Sequence, residues 1–381
     1  MMKKKNKGLV ISVIFLSLVI VGLGGFIVYD KFLTNKTIKS TDNNKNKKEQ
    51  KKDTIEKSSN IISVATNFED KKIYGFKKDG SKIEIMDINE YTDAVYTYSD
   101  GKLYLYLYSY SPGKVNVDTG ETIEEFTQRS ILGYIDINDN NHTFNKLTDI
   151  DADTLPGSIA IANNIIYYTY GNDKIFQYNI GTKEISASNN FGLSGTIYLY
   201  TIFKDYLGYQ VVPDYENGGP SMGIIDIKNE KADEIAPYTY LQYILNNKVI
   251  YLKYDTPNTY SSWTYYEYNI NDKSSKQISE STKHNQSLYD SYIIPINDYY
   301  IYVDENIIYK YVNGKREKIY EIDNKNNGYG TQTVNLISEN TLHISYGSEY
   351  EAIYKYGNLN LDTLTFENNN DGSYSKILYI K

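Results

Sequence analysis

The chain has 381 residues, no cysteine and a formal net charge of −8 at pH 7. The charge is uneven, because residues 1–60 hold 13 basic and 5 acidic side chains whereas residues 61–381 hold 27 basic and 43 acidic ones. An acidic domain lacks the concentrated positive field that nucleic acid requires, and a chain without cysteine excludes disulfides, thiolate catalysis and cysteine-bound zinc.

The N-terminal region predicts a membrane anchor followed by a linker. Residues 8–29 (GLVISVIFLSLVIVGLGGFIVY) carry no charge, and a helix of this length at about 1.5 Å per residue spans a bilayer core. The run ends without a small-residue cleavage site, which favours a retained signal-anchor helix over a cleaved signal peptide. Lysines in residues 1–7 favour a cytoplasmic N-terminal tail, although more lysines follow the helix. Residues 30–60 are polar and typical of a disordered linker.

From residue 61 onward the apolar residues alternate with period 2, which indicates strands. In residues 103–108 (LYLYLY) one strand face would carry Leu and the other Tyr, so both faces are expected to be covered. Two markers each recur seven times. The first ends a tight turn between two apolar strands, at Asp70, Asp100, Asn164, Asp205, Asn247, Asp298 and Asn340. The second lies in a following strand, at Asp87, Asp136, Asn179, Asp226, Asn269, Val312 and Asn360.

Seven units of about 45 residues each accommodate four short strands with their turns. The pattern therefore predicts an all-β, seven-bladed β-propeller over residues 61–381, in which each blade buries both faces against its neighbours. Six or eight blades are the alternatives, because the first unit is one strand short. We expect the C-terminal run 375–380 to supply that strand and to close the ring by pairing with the first unit.

Residues 165–180 (IIYYTYGNDKIFQYNI) resemble the YWTD-type propeller repeat, in which an aromatic-rich strand precedes a turn and a second strand. The four-residue core is in this chain Tyr167-Tyr168-Thr169-Tyr170, so the Trp and the Asp of that repeat are both replaced. The runs NVDTGETI and NIGTKEI resemble the turn of quinoprotein-like propellers without their Trp. The resemblance implies a propeller, as the ectodomain of a bacterial single-pass membrane protein, and carries no functional residue with it.

No catalytic motif is complete. Residues 219–223 (GPSMG) match G-x-S-x-G, but a Gly-rich loop precedes them and a strand follows, whereas a nucleophile elbow requires a following helix. The three histidines occupy different positions of their repeats, which disfavours a shared metal site; they are His142, His284 and His343. We therefore expect no catalytic residue, no cofactor and no metal ligand.

Asp149, Asp151 and Asp153 resemble the start of a calcium-binding loop. The residues that follow do not complete the EF-hand pattern, since Thr154 stands where Gly is needed. A weak calcium site and a solvated link between two blades both stay open at this point.

Three connections between the second and third strands of a unit are long, at residues 109–129, 213–222 and 255–262. In a propeller such connections share one face, and loops on a rigid scaffold are common recognition sites. This face would carry four aromatic residues of the kind that anchors peptides or stacks on sugars. They are Tyr215, Tyr260, Trp263 and Tyr265. Surface insertion without a ligand is the alternative.

The sequence thus predicts a single-pass protein of the cell membrane, in contact with the bilayer through residues 8–29, with a cytoplasmic N-terminus and an extracellular propeller. We expect the propeller to be a non-enzymatic binding or scaffold module for an envelope protein or glycan, without nucleic acid. The alternative is a carbohydrate-active hydrolase or lyase of the envelope that uses carboxylates on one propeller face.

Overall fold

The computed structural model describes residues 61–380 apart from residues 68, 112, 116–121, 125–126, 152–154, 171–173, 204, 214–218, 246, 257–261, 280–281, 284–290, 297, 305, 314, 323–329, 349–352, 370–371 and 373. The predicted anchor at residues 8–29 and the predicted linker at residues 30–60 lie outside this part of the chain. Within it, no helix has the length and apolar character needed to cross a bilayer.

The described residues form seven antiparallel sheets of four strands, the blades, each ordered from the axis outward. Blade 1 contains β31 (Tyr374–Tyr379), β1 (Ile61–Asn67), β2 (Lys72–Lys77) and β3 (Lys82–Asp87). Blade 2 contains β4 (Asp93–Ser99), β5 (Lys102–Ser111), β8 (Thr127–Asp136) and β9 (Phe144–Ile150). Blade 3 contains β10 (Pro156–Ala162), β11 (Ile165–Tyr170), β12 (Ile175–Asn179) and β13 (Glu184–Ala187). Blade 4 contains β14 (Thr196–Phe203), β15 (Tyr206–Val212), β16 (Ser221–Asp226) and β17 (Lys231–Pro237).

Blade 5 contains β18 (Thr239–Leu245), β19 (Lys248–Tyr254), β20 (Ser262–Asn269) and β21 (Ser274–Gln277). Blade 6 contains β23 (Ser291–Ile296), β24 (Tyr299–Asp304), β25 (Ile307–Val312) and β26 (Lys315–Glu321). Blade 7 contains β27 (Gly330–Ser338), β28 (Thr341–Ser348), β29 (Ile353–Asn360) and β30 (Thr365–Asn369). Three short strands are added: β6 (Lys114–Val115) pairs with β7 (Thr122–Glu124), and β22 (Thr282–Lys283) pairs with β20. The predicted all-β fold with seven blades is confirmed.

The alternation of β5 shows why these sequences form stacked blades. Its Leu side chains at 103, 105 and 107 pack on blade 1 with Val64, and its Tyr side chains at 104 and 106 pack on blade 3 with Tyr168. Both faces of the strand are therefore covered, as predicted. The outermost strands β13 and β21 are instead exposed along their whole length, because no blade lies outside them.

The ring is closed by the C-terminal strand. β31 pairs antiparallel with β1, with Tyr374 opposite Asn67 and Tyr379 opposite Ser63. It also contacts β4 and β27, the innermost strands of the two adjacent blades, so it occupies the axial position of blade 1. The Ser63 hydroxyl donates to the Ile337 carbonyl of blade 7 at 2.6 Å, which joins the first blade to the last. The predicted strand exchange is confirmed.

Closure by an axial strand shifts the strand roles of the first unit. β1, β2 and β3 are the second, third and fourth strands of blade 1, whereas in the other units the same markers fall on the first three strands. We call the face with the connections between second and third strands the loop face, and the opposite one the turn face. Asp70 and Asp87 lie on the loop face, and their counterparts Asp100 and Asp136 lie on the turn face. The markers record strand–turn–strand patterns and not distance from the axis, so in unit one they fall one strand further from the axis than in the other units.

In units two to seven, the Asp and Asn residues of both markers build the turn face. Asp100 and Gly101 both have positive φ angles, of 50° and 79°, which is the backbone of a tight two-residue hairpin. The Asp136 carboxylate accepts the backbone N–H of Asn138 at 2.9 Å and so caps the turn that follows the third strand. The Ile137 N–H then donates to the Gly101 carbonyl at 3.0 Å, which ties the two turns of the blade together.

The innermost strands are not equally spaced around the axis. β10 packs against both β4 and β14, and these two strands also contact each other. The cause is the small side chains of β10 at Gly157, Ser158, Ala160 and Ala162. The Thr97 hydroxyl donates to Thr201 Oγ1 at 2.6 Å, which links blade 2 directly to blade 4. Ile161 N–H donates to the same oxygen at 2.8 Å, so blade 3 joins this contact.

The pairing of β31 with β1 should dominate the stability of the ring. Tyr374 is 2% exposed and its ring meets that of Phe76 edge to face at 5.1 Å. We expect Tyr374→Ala to lower the free energy of unfolding by about 3–5 kcal/mol in guanidinium denaturation, because it opens a ring-sized cavity at the closure. Ending the chain at residue 373 should lower it further. Ile185→Ala, at a side chain that is 45% exposed on β13, is the control and should change it by less than about 0.5 kcal/mol. A truncated chain that unfolds like the full chain would contradict a stabilising role for closure.

Buried tyrosines should make the fold sensitive to alkali. Burial raises the pKa of Tyr167 and of Tyr243 to about 12, from an ordinary value of about 10. The folded state therefore keeps protons that the unfolded chain releases, so the stability tied to these hydroxyls is complete below pH 10 and is lost as the pH rises toward about 12. We expect the free energy of unfolding to fall in that window by about 1.4 kcal/mol per pH unit for each such tyrosine. Tyr243→Phe should make the fall shallower, and an unchanged slope would contradict the assignment.

Candidate binding face

The loop face carries the three long connections predicted from the sequence. They join β5 to β8, β15 to β16 and β19 to β20, which are the second and third strands of blades 2, 4 and 5. β5 and β8 have ten residues each and stay paired up to Ser111 and Thr127. The second strands of the other blades are shorter, so blade 2 extends furthest and carries the β6–β7 hairpin beyond its last strand pair.

The structure places two of the four predicted aromatic residues inside the protein. Trp263 and Tyr265 are both 0% exposed, while Tyr215 and Tyr260 lie outside the described residues. Trp263 is at the start of β20, with Tyr254 opposite it on one side and Thr282 of β22 on the other.

The two buried rings belong to the packing between blades 5 and 6. Tyr265 meets Tyr302 of blade 6 edge to face at 6.2 Å, and Trp263 lies in the same apolar cluster together with Ile293. At the base of the long connection, Thr264 Oγ1 donates to the Asp255 carboxylate at 2.8 Å. Because both rings are fully buried, a ligand on the loop face would not contact them directly. Their packing would instead hold the end of the connection at residues 255–262.

A different set of aromatic side chains lies at the surface of the loop face. We call it the aromatic patch, and it consists of the partly exposed Tyr110, Tyr170 and Phe176 together with the buried Tyr108, on which Tyr110 stacks. Tyr110 is 43% exposed and lies over Tyr108, with ring centroids 6.4 Å apart and planes at 17°. Tyr170 and Phe176 are half-buried and stack at 4.6 Å with planes at 7°.

The strand alternation explains why these rings converge. Even-numbered residues of β5 face blade 3, and even-numbered residues of β11 face blade 2. Below the patch, Tyr106 and Tyr168 meet edge to face at 5.7 Å. The patch is therefore the exposed end of two rows of aromatic side chains, one on β5 and one on β11, that start in the core between blades 2 and 3. In the sequence, the alternation indicates that blades pack on both sides of β5, but it does not indicate where these rows reach the surface.

The patch is held rigidly. Thr92, just before β4, continues the pairing with β5: its N–H donates to the Tyr108 carbonyl at 2.7 Å, and its hydroxyl accepts the Tyr110 N–H at 3.0 Å. The Tyr170 hydroxyl donates to the Asp151 carbonyl in the link between blades 2 and 3 at 3.3 Å. In the same link Leu155 is 44% exposed. These bonds hold the backbone that carries Tyr108 and Tyr110 and the ring of Tyr170, so less conformational entropy remains to be lost when a ligand binds.

The charged side chains on the other face of blade 2, toward blade 1, are paired. Lys146 Nζ lies 2.6 Å from the Asp149 carboxylate, and Arg129 lies 3.9 Å from it on the other side. The hydrogen bond from Lys146 holds the pKa of Asp149 below its usual range. Burial raises the pKa of Tyr108, with a further contribution from Tyr110, so this phenol is neutral at physiological pH. The patch therefore offers uncharged rings.

The remaining candidates for chemistry are dispersed. Asp149 is engaged by two basic side chains, and Asp153 of the possible calcium loop lies outside the described residues, among which no cluster of three metal-binding side chains occurs. His343 is buried on β28, where Nδ1 lies 3.0 Å from the Asn358 side-chain oxygen. Ser221 of the G-x-S-x-G match is the first residue of β16, paired with Val211 and Pro237.

No protein-family model matches the sequence, and no curated protein matches it. Solved structures are similar to it in fold. The β-propeller domain of the Trilobed protease from Pyrococcus furiosus is 11% identical, with a TM-score of 0.43, over 73% of this chain and 83% of that one. Dipeptidyl peptidase 4 of Porphyromonas gingivalis is 10% identical, with a TM-score of 0.43, over 82% of this chain and 53% of that one. An oligogalacturonate lyase in complex with manganese is 8% identical, with a TM-score of 0.47, over 79% and 90%. These similarities concern the fold alone.

The position of Trp263 can be checked directly, because the chain contains one tryptophan. Iodide, which does not enter a packed interior, should leave the fluorescence of the native protein nearly unquenched and should quench it after unfolding. The unfolded full-length chain is the control for the accessibility of the same residue. Equal quenching of the native and unfolded protein would show that the ring is exposed on the loop face and would restore it as a direct contact for a ligand.

Proposed function

We propose that this protein is a membrane-anchored, extracytoplasmic β-propeller that acts as a non-enzymatic binding module for a component of the cell envelope. The observation that carries the proposal is the aromatic patch, in which fixed, partly exposed rings lie on the same face as the three long connections. Large rigid rings offer contact area at a small entropic cost, which is the property that recognition surfaces use.

The proposed anchor is the helix at residues 8–29, with the N-terminus in the cytoplasm and the propeller outside. The linker joins the propeller at Ile61, the first residue of β1. Second strands run toward the loop face, so β1 begins on the turn face. The covalent connection to the membrane therefore leaves from the face opposite the aromatic patch. A flexible linker of this length reaches roughly 30 Å on average, which leaves room for the loop face to point away from the bilayer.

The test is capture of envelope material by the full-length protein in detergent micelles. We expect Tyr110→Ser to reduce capture several-fold, because it removes the most exposed ring of the patch, and Ile185→Ser to leave it unchanged. Ile185 is the matched control, since it is an equally exposed apolar side chain, at 45%, on the outer strand of blade 3. Circular dichroism of both variants verifies that they are folded.

Equal capture by the two variants would contradict a binding role for the loop face. Release of new reducing ends from a glycan fraction, abolished by substitution of a loop-face carboxylate, would favour the carbohydrate-active enzyme instead.

A further inference from the structure

The size of the aromatic patch limits what it can hold. Tyr110 is 43% exposed and Tyr170 and Phe176 are half-buried. Since a fully accessible aromatic side chain offers 150–250 Å², the three rings together expose roughly 200 Å². A stable protein interface needs roughly 800 Å² on each partner. A patch of this area matches two or three sugar rings better than a protein surface.

The shape of the patch also suits a sugar chain. The stacked pair of Tyr170 and Phe176 has nearly parallel planes, and the Tyr108–Tyr110 pair forms a second stack on the neighbouring blade. A pyranose ring has an apolar C–H face and hydroxyl groups around its edge. The flat face of an aromatic ring complements the first, and the rim hydroxyls of tyrosine can exchange hydrogen bonds with the second.

The charge of the domain selects among glycans. Residues 61–381 hold 43 acidic and 27 basic side chains, so the domain repels an anionic polymer. Salt shortens the range of this repulsion but does not abolish it at contact. Arg129 lies on the other face of blade 2, beside Asp149, and is partly neutralised by it. Lys174, two residues before Phe176, is exposed, but its single positive charge does not offset the excess of acidic side chains in the domain. A neutral chain meets no such repulsion.

We propose that the aromatic patch is a binding site for a neutral polysaccharide, which stacks on Tyr110 and on the Tyr170–Phe176 pair. The inference rests on the proposed function and names its ligand class. Because the linker leaves from the turn face, the patch can reach a polymer that lies outside the membrane. The polymer would lie across the boundary between blades 2 and 3.

The experiment is calorimetric titration of the full-length protein, in nanodiscs or in a detergent without a sugar headgroup. The probes are cellohexaose and chitohexaose as neutral chains and an oligogalacturonate as an anionic chain. We expect at least one neutral probe to bind and the anionic probe to bind more weakly. Tyr110→Ser should raise the Kd for the neutral probe by about 3- to 10-fold, the range for loss of one aromatic contact. Tyr110→Phe should stay close to the unchanged protein because the ring remains, and Ile185→Ser should have no effect.

The outcomes separate this inference from the proposed function. If Tyr110→Ser lowers capture of envelope material but neither neutral probe binds, the ligand class is wrong and the binding role of the face stands. Tighter binding of the anionic probe than of both neutral ones would also overturn the inference. If neutral probes bind equally to the unchanged protein and to Tyr110→Ser, the sugar site lies elsewhere. Absence of both probe binding and Tyr110-dependent capture would overturn both proposals.

Discussion

The backbone pairing between β31 and β1 is the interaction on which the rest of the structure depends. Every blade covers both of its faces with its neighbours, so a ring that fails to close leaves blades 1 and 7 with exposed apolar faces. The pairing brings residues more than 300 positions apart in sequence into register, with Ser63 opposite Tyr379. It also fixes the direction of β1, and hence the face from which the preceding residues leave. One strand pair therefore decides both the stability of the ring and the orientation of its loop face.

Much of this fold could be predicted from the sequence, because the residues that make the turns are also those that repeat. Asp136 caps a turn with its carboxylate, and the following Ile137 ties that turn to the neighbouring hairpin. Such turns favour Asp, Asn and Gly, so these residues mark most of the units, although Val312 takes the second marker position in unit six. The strand roles of the first unit could not be predicted in the same way. A turn motif looks the same on either face of the disc, and only the long-range pairing with β31 shows which face it occupies.

The loop face carries the predicted connections, but two of the four aromatic residues predicted for it, Trp263 and Tyr265, are buried. Period-2 alternation shows which side chains share a strand face, and it says nothing of how far the neighbouring blade reaches. Along β5 the exposures of Tyr104, Tyr106, Tyr108 and Tyr110 are 6%, 0%, 3% and 43%. The exposure rises at Tyr110 because β5, with ten residues, extends beyond the end of β11 in the neighbouring blade, which has six. Trp263 shows the reverse case: it is buried between blades 5 and 6, and its strand pairs with the two-residue strand β22, which no sequence pattern predicts.

The aromatic patch lies at the boundary between blades 2 and 3, which are joined to each other and to blade 4 near the axis. Small side chains in β10 let the innermost strands of blades 2, 3 and 4 approach each other, and Thr201 bonds to both Thr97 and Ile161 there. The boundary between blades 2 and 3 is thus fixed at the axis by these contacts and at the loop face by the Tyr170–Asp151 hydrogen bond. Rings on a boundary held at both ends keep their separation. A ligand with a regular spacing of flat units, as a polysaccharide has, gains most from such a surface, because neither partner must reorganise for successive units to stack.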